Sequence, residues 1–188
     1  MRSIAPAALA LMLAALPARA QPALEACADE ARPPAARVGT CTMALRLSLP
    51  PSARARALTA RADAQFTLAL QRSETQRAAD PEGSLPPAAL DPALADIGEA
   101  ISLGAGGEAL LLRATLRLWR GDLSPAARRS VLRGDNEAVI RDLTAAIAAD
   151  PGNWELHAMR GANRSMSGLP GADADFAEAR RLLAAARR

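Results

Sequence analysis

The sequence predicts an all-α fold of stacked antiparallel helix hairpins. From residue 52 to the end, apolar residues recur at helical spacing and are interrupted by short clusters of Gly, Pro, Asp and Asn. Such a period marks amphipathic helices, and such clusters end them. A second observation is that one helical segment recurs along the chain, as described below. Together the two observations indicate about three helix pairs.

The first twenty residues have the pattern of a secretory signal peptide. Arg2 precedes an apolar run that ends at Leu16, and Ala18-Arg19-Ala20 provides an Ala-x-Ala cleavage site. This order is typical of exported proteins. No later stretch reaches the roughly 20 apolar residues that a membrane span needs. We therefore expect cleavage after Ala20, no membrane span, and a periplasmic or secreted chain of about 168 residues, which suits one domain.

The charge does not indicate nucleic-acid binding. All 23 basic residues are Arg, set against 20 acidic residues. Two of the arginines, Arg2 and Arg19, leave with the signal peptide, so the remaining chain is almost neutral. Only two Phe and two Trp are present, and no Tyr. A nucleic-acid site needs basic residues concentrated on one face together with stacking aromatic residues.

The two cysteines, Cys27 and Cys41, predict a structural disulfide. An isolated pair in an exported protein is most simply oxidised. A redox or metal role is the alternative, but the spacing is not Cys-x-x-Cys and the single His lies far away. Lipidation of Cys27 is a second alternative, for which Glu25 departs from the pattern. We expect no metal site and no cofactor.

A short N-terminal strand is predicted over residues 41–49. Alternate side chains there are apolar, and Pro50-Pro51 ends the pattern. A period of two indicates a half-buried strand, although a lone strand lacks a partner. The chain thus divides into a signal peptide (1–20), an N-terminal segment with the disulfide (21–51) and a helical domain (52–188).

Helices are predicted throughout the chain from residue 52 onward, and at most a short helix around Cys27 before it. Prolines and N-cap residues mark the starts, and Gly or Asp-Pro marks the ends. The pattern predicts helices at 52–77, 92–103, 108–120, 126–133, 136–149, 154–167 and 172–187, with a break at Gly134-Asp135.

A short motif recurs 47 to 52 residues apart. Residues 58–62, 110–114 and 157–161 each end in Arg followed by a small residue. The helices that follow carry Ile97-x-x-Ala100, Leu143-x-x-Ala146 and Phe176-x-x-Ala179. A repeating unit of this size is a helix pair, and several pairs must stack to bury their apolar faces.

Residues 136–187 resemble the tetratricopeptide repeat family. Ala172, Phe176 and Ala179 match the family's second helix, Pro151 its closing proline, and Gly161 the small residue of its first helix. The chain departs from the family where His157, Arg160 and Arg164 replace its Trp, Leu and Tyr. The resemblance implies a concave, protein-binding surface without catalysis.

From that resemblance we expect an exported interaction scaffold that binds a protein or peptide partner. Its groove would be lined by the first helix of each pair, where Arg61, Arg113, Arg160 and Arg164 are the recurring polar residues. The alternative is that these arginines pair with neighbours such as Asp63 or Glu155. A structural role in an envelope assembly fits the same sequence.

Two insertions, residues 73–90 and 121–135, lie at the same end of the pairs. The second contains Arg128, Arg129 and Arg133. This cluster is either a contact for an acidic partner or lipid headgroup, or a solvated helix face.

An enzyme is the remaining alternative, and it would have to use His157. Neither a Gly-x-Ser-x-Gly elbow, nor a metal-spaced cluster, nor a phosphate-binding Gly loop occurs in the sequence. We therefore expect no catalytic activity.

Overall fold

A computed structural model describes residues 20–80, 85–122 and 128–187. The predicted signal peptide lies outside these residues, except for Ala20. The described chain is helical, with one 3-10 turn at Pro87–Leu90. The helices are α1 (Ala20–Ala28), α2 (Pro34–Leu45), α3 (Pro51–Ala79), α4 (Asp91–Ser102), α5 (Gly107–Asp122), α6 (Arg128–Ala149), α7 (Trp154–Met166) and α8 (Ala172–Ala186). The all-α prediction is confirmed.

The predicted strand at residues 41–49 is wrong. Residues 41–45 form the last turns of α2, and the described residues contain no strand. The backbone N–H groups of Arg46 and Leu47 still donate to Met43 and Ala44. A helix satisfies its own backbone groups, whereas a lone strand would have left them unpaired. Residues 41–45 therefore form a helix despite their alternating apolar pattern, and α2 packs against α1 and α3.

The predicted break at Gly134-Asp135 is also wrong, because α6 continues through it from Arg128 to Ala149. A single glycine inside a helix costs only about 1 kcal/mol and does not end it unaided. The described part of the separate helix predicted at 126–133 is thus the start of α6. Much of both predicted insertions is helical, since α3 extends to Ala79 and α6 begins at Arg128.

Three helix pairs, α3/α4, α5/α6 and α7/α8, are antiparallel. In the first pair Arg54 contacts Glu99 and Arg61 contacts Asp96, so the chains run in opposite directions. Helices pack mainly on their sequence neighbours. The short turns between them use glycines with positive φ, such as Gly104 after α4 and Gly171 before α8. Asn153 caps α7 by accepting a hydrogen bond from the Glu155 N–H.

Two apolar clusters lie on either side of α5. The first joins α3, α4 and α5 around Leu58, Ile97 and Leu116, with Phe66 edge-on to Trp119 at a centroid distance of 6.1 Å. The second joins α5, α6 and α7 around Leu143 and Leu156. Because α5 contributes to both clusters, it fixes the position of the first pair relative to the second.

Candidate functional site

Each recurring arginine forms an ion pair with an aspartate on the second helix of its own pair. Arg61 donates from Nε and Nη2 to both oxygens of Asp96, each at 2.7 Å. Arg113 binds Asp142 in the same two-pronged way, at 2.9 and 2.6 Å. The equivalent residues Arg160 and Asp175 lie 2.7 Å apart.

The second and third pairs each add another arginine to the same carboxylate. Arg117 donates to Asp142, and Arg164 donates to Asp175 at 2.8 Å. These arginines lie one helical turn after Arg113 and Arg160. The first pair has Gln65 at this position, and its buried Oε1 has no hydrogen-bond partner among the residues that the structure describes. The ion pairs therefore repeat with the predicted helix-pair unit.

Asp96, Asp142 and Asp175 were missed by sequence reasoning, although a signal was present. Each aspartate stands directly before the apolar residue of the recurring second-helix motif, namely Ile97, Leu143 and Phe176. All three aspartates are buried. The neighbours expected to pair with the arginines, Asp63 and Glu155, are not the partners. Asp63 instead accepts a hydrogen bond from Arg37 of α2.

Two arginines also reach the helix that precedes their own pair. Arg61 Nη1 donates to Thr42 of α2, and Arg160 Nη1 donates to Thr144 of α6, both at 3.2 Å. The helix α2 of the α1/α2 hairpin therefore contacts α3 in the same way as α6 contacts α7. The hydrogen bonds with Asp96 raise the pKa of Arg61, against a smaller opposing effect of burial. This guanidinium therefore stays charged across the physiological range.

A groove of about 680 Å³ lies between α3 and α5. One wall comes from the α1/α2 hairpin and one end from the turn between α4 and α5. The charged groups around it are Glu30, Arg37, Arg56, Asp63 and Glu108; the uncharged side chains at its floor and sides include Ala55, Thr59, Ala60, Ala109, Leu111, Leu112 and Thr115. Neither Arg61 nor Arg113 lines it, although α3 and α5 are the first helices of their pairs.

The Cys27–Cys41 disulfide joins α1 to α2, as the sequence predicted. Both cysteines are buried beside Ala57 of α3. Arg37, which lies one turn before Cys41, ties the hairpin to α3 through Asp63 at 3.0 Å. The disulfide-bonded hairpin is therefore a fixed wall of the groove. A disulfide is compatible with an oxidising compartment.

The chain matches no protein-family model, no curated protein and no solved structure.

His157 lies buried in α7, and neither of its ring nitrogens has a hydrogen-bond partner in the described part of the chain. A catalytic His needs a carboxylate and a nucleophile within hydrogen-bond reach. The equivalent residue of the second pair is Leu110, which packs in an apolar cluster. This position therefore supports a packing role for His157, and the absence of catalytic activity stays a prediction.

Among residues 20–80, 85–122 and 128–187, no group of three or more His, Cys, Asp or Glu side chains could hold a metal ion. None of the helices in these ranges is both long and apolar enough to cross a membrane. Arg128, Arg129 and Arg133 fall in the first turns of α6, where the structure describes the backbone alone.

Proposed function

We propose that the protein is an exported scaffold of tetratricopeptide-like helix pairs that binds a peptide segment of a partner protein. The observation that carries this proposal is the groove between the first helices of two successive pairs. Its volume of about 680 Å³ falls in the range of ligand-binding clefts. The disulfide supports export to an oxidising compartment, periplasmic or secreted.

The length of the groove suits an extended peptide. Lining residues of α3 run from Ser52 to Asp63. At a helical rise of about 1.5 Å per residue this segment spans about 17 Å. An extended chain advances about 3.3 Å per residue, so about five residues fit along it.

The recurring arginines support this function through the shape of the scaffold. Their ion pairs hold the two helices of each pair together, which positions α3 and α5 on either side of the groove. Part of each side chain stays exposed, from 14% for Arg160 to 25% for Arg164. Direct contact of Arg61, Arg113, Arg160 or Arg164 with the partner stays a prediction.

Selection of peptides against a blocked groove tests the proposal. A random peptide library is panned on the disulfide-bonded protein, and the enriched peptides are measured against Thr59→Trp. Thr59 lines the groove, so an indole there obstructs it. We expect affinity to fall at least about tenfold, which corresponds to about 1.4 kcal/mol.

Thr75→Trp is the matched control. Thr75 is exposed near the end of the same helix, and both threonines donate to the carbonyl four residues earlier. The control variant should bind the enriched peptides as the wild type does. Failure to enrich any peptide, or equal binding by the two variants, would overturn the proposal.

A further inference from the structure

We infer that the groove selects extended peptides that carry basic side chains. This inference rests on the proposed function and names the chemistry of the partner. Three carboxylates and two guanidinium groups surround the groove. These groups differ in how far they are exposed to a ligand in the groove.

The Arg37–Asp63 pair offers its carboxylate more readily than its guanidinium. The Arg37 side chain is 7% exposed, whereas the Asp63 side chain is 43% exposed. Asp63 uses one oxygen for Arg37, and the other has no partner among the described residues. A ligand in the groove therefore meets the negative member of this ion pair.

The other charged groups at the groove also make its accessible charge negative. Glu30, Arg56 and Glu108 are exposed at the groove and form no ion pair within the described chain. Glu30 belongs to the turn between α1 and α2, and Glu108 to the first turn of α5, so carboxylates stand on opposite walls. Three accessible carboxylates against one accessible guanidinium favour a cationic ligand, because charge complementarity governs specificity.

The guanidinium of Arg37 is closed off from a ligand in the groove. Its Nε is buried and has no hydrogen-bond partner among the described residues, and its Nη1 donates to Asp63. Arg37 therefore offers a ligand little of its positive group, which leaves Arg56 as the accessible guanidinium of the groove.

The floor restricts the shape of the ligand. Ala55, Ala60 and Ala109 line the groove with methyl groups, and Leu111 and Leu112 of α5 line it as well. Methyl groups leave room for a backbone to approach closely, while the leucines accept one apolar side chain. An extended segment with an apolar residue between two basic residues satisfies the floor and the walls together.

Fluorescence anisotropy with three labelled peptides tests this inference. The peptides Ala-Arg-Leu-Arg-Ala, Ala-Gln-Leu-Gln-Ala and Ala-Glu-Leu-Glu-Ala are capped at both ends so that only the side chains differ in charge. We expect the basic peptide to bind at least about tenfold more tightly than the acidic one at low salt, with the difference falling as salt increases. Tighter or equal binding of the acidic peptide would overturn the inference.

The double variant Glu30→Gln with Glu108→Gln should reduce the preference for the basic over the neutral peptide. Glu74→Gln with Glu155→Gln changes the net charge equally at exposed sites outside the groove and should keep that preference. Equal effects of the two double variants would show a general charge effect and refute the selectivity.

The two proposals fail in different ways. If acidic or neutral peptides bind best and Thr59→Trp blocks them, the groove binds peptides and the preference for basic residues is wrong. If no peptide binds, or if Thr59→Trp binds as Thr75→Trp does, peptide binding by the groove is itself wrong.

Discussion

Gly161 of α7 lies directly against Asp175 and Phe176 of α8. A Cβ atom built on it would stand 3.0 Å from Cε1 of the Phe176 ring and 3.1 Å from Cβ of Asp175. The equivalent residues of the first two pairs are Ala62 and Ala114, and their second helices carry Ile97 and Leu143. The larger ring in the third pair therefore requires the smaller residue.

Gly161→Ala should destabilise the protein by about 1 kcal/mol. Alanine is favoured over glycine in a helix by about 1 kcal/mol, but overpacking of a core costs about 1–3 kcal/mol. Asp175 cannot recede easily, because Arg160 and Arg164 hold it. Adding Phe176→Leu, which recreates the Ala114 and Leu143 combination, should recover much of the loss. Urea denaturation measures both effects.

Gly98→Ala provides the control for helix propensity. Gly98 lies within α4, and a Cβ atom there would meet no atom within 4 Å. This variant should be more stable than the wild type, by about 1 kcal/mol at most. The packing explanation would be contradicted if Gly161→Ala raised the free energy of unfolding and adding Phe176→Leu left that value unchanged.

At the scale of elements, a buried aspartate joins the two helices of each pair. Asp142 and Asp175 each form ion pairs with two arginines, whereas Asp96 forms an ion pair with one. Removing one partner of a buried ion pair leaves an uncompensated charge, which is far more costly than losing an exposed pair. We therefore expect the loss of stability to be larger for a variant that leaves two guanidinium groups without a carboxylate than for one that leaves a single group.

Asp175→Asn should lower the free energy of unfolding by about 3 kcal/mol, and Asp96→Asn by less. Chemical denaturation followed by circular dichroism measures the difference. Glu178→Gln, which removes the exposed Glu178–Arg181 pair on the same helix, should change stability little. Similar losses for Asp96→Asn and Asp175→Asn would show that the second arginine adds nothing.

The helices from α3 onward could be predicted because their signals are local. Apolar period, prolines at the starts and glycines at the ends all act within a few residues. Residues 41–49 were mispredicted because the apolar pattern of so short a segment fits both a strand and an amphipathic helix. Contact with α1 and α3 decides between the two. At Gly134 a local breaker was overridden by the helix on both sides.

The disulfide acts at the scale of the whole molecule, because it holds together the α1/α2 hairpin, which packs on α3 of the helical domain. The double variant Cys27→Ala with Cys41→Ala should lose about 3 kcal/mol, the value expected for a loop whose ends are 14 residues apart. It should also bind groove peptides more weakly, since Glu30 and Arg37 belong to the hairpin.

Denaturation and anisotropy with and without a reducing agent check this expectation. The wild type should respond to reduction, and the variant without cysteines should not. Unchanged unfolding and unchanged peptide binding of the wild type after complete reduction would show that the hairpin keeps its place without the disulfide.

The sequence by itself determined the all-α class, most helix limits, the pairing of Cys27 with Cys41 and the positions of the recurring arginines. Only the tertiary structure decided what those arginines do. Their partners lie 11 to 35 residues away on another helix, and the packing of the two helices in each pair brings them together. The groove likewise combines α3, α5 and the disulfide-bonded hairpin, which no local pattern relates. Local periodicity specifies a helix, whereas a site between helices depends on how their faces meet.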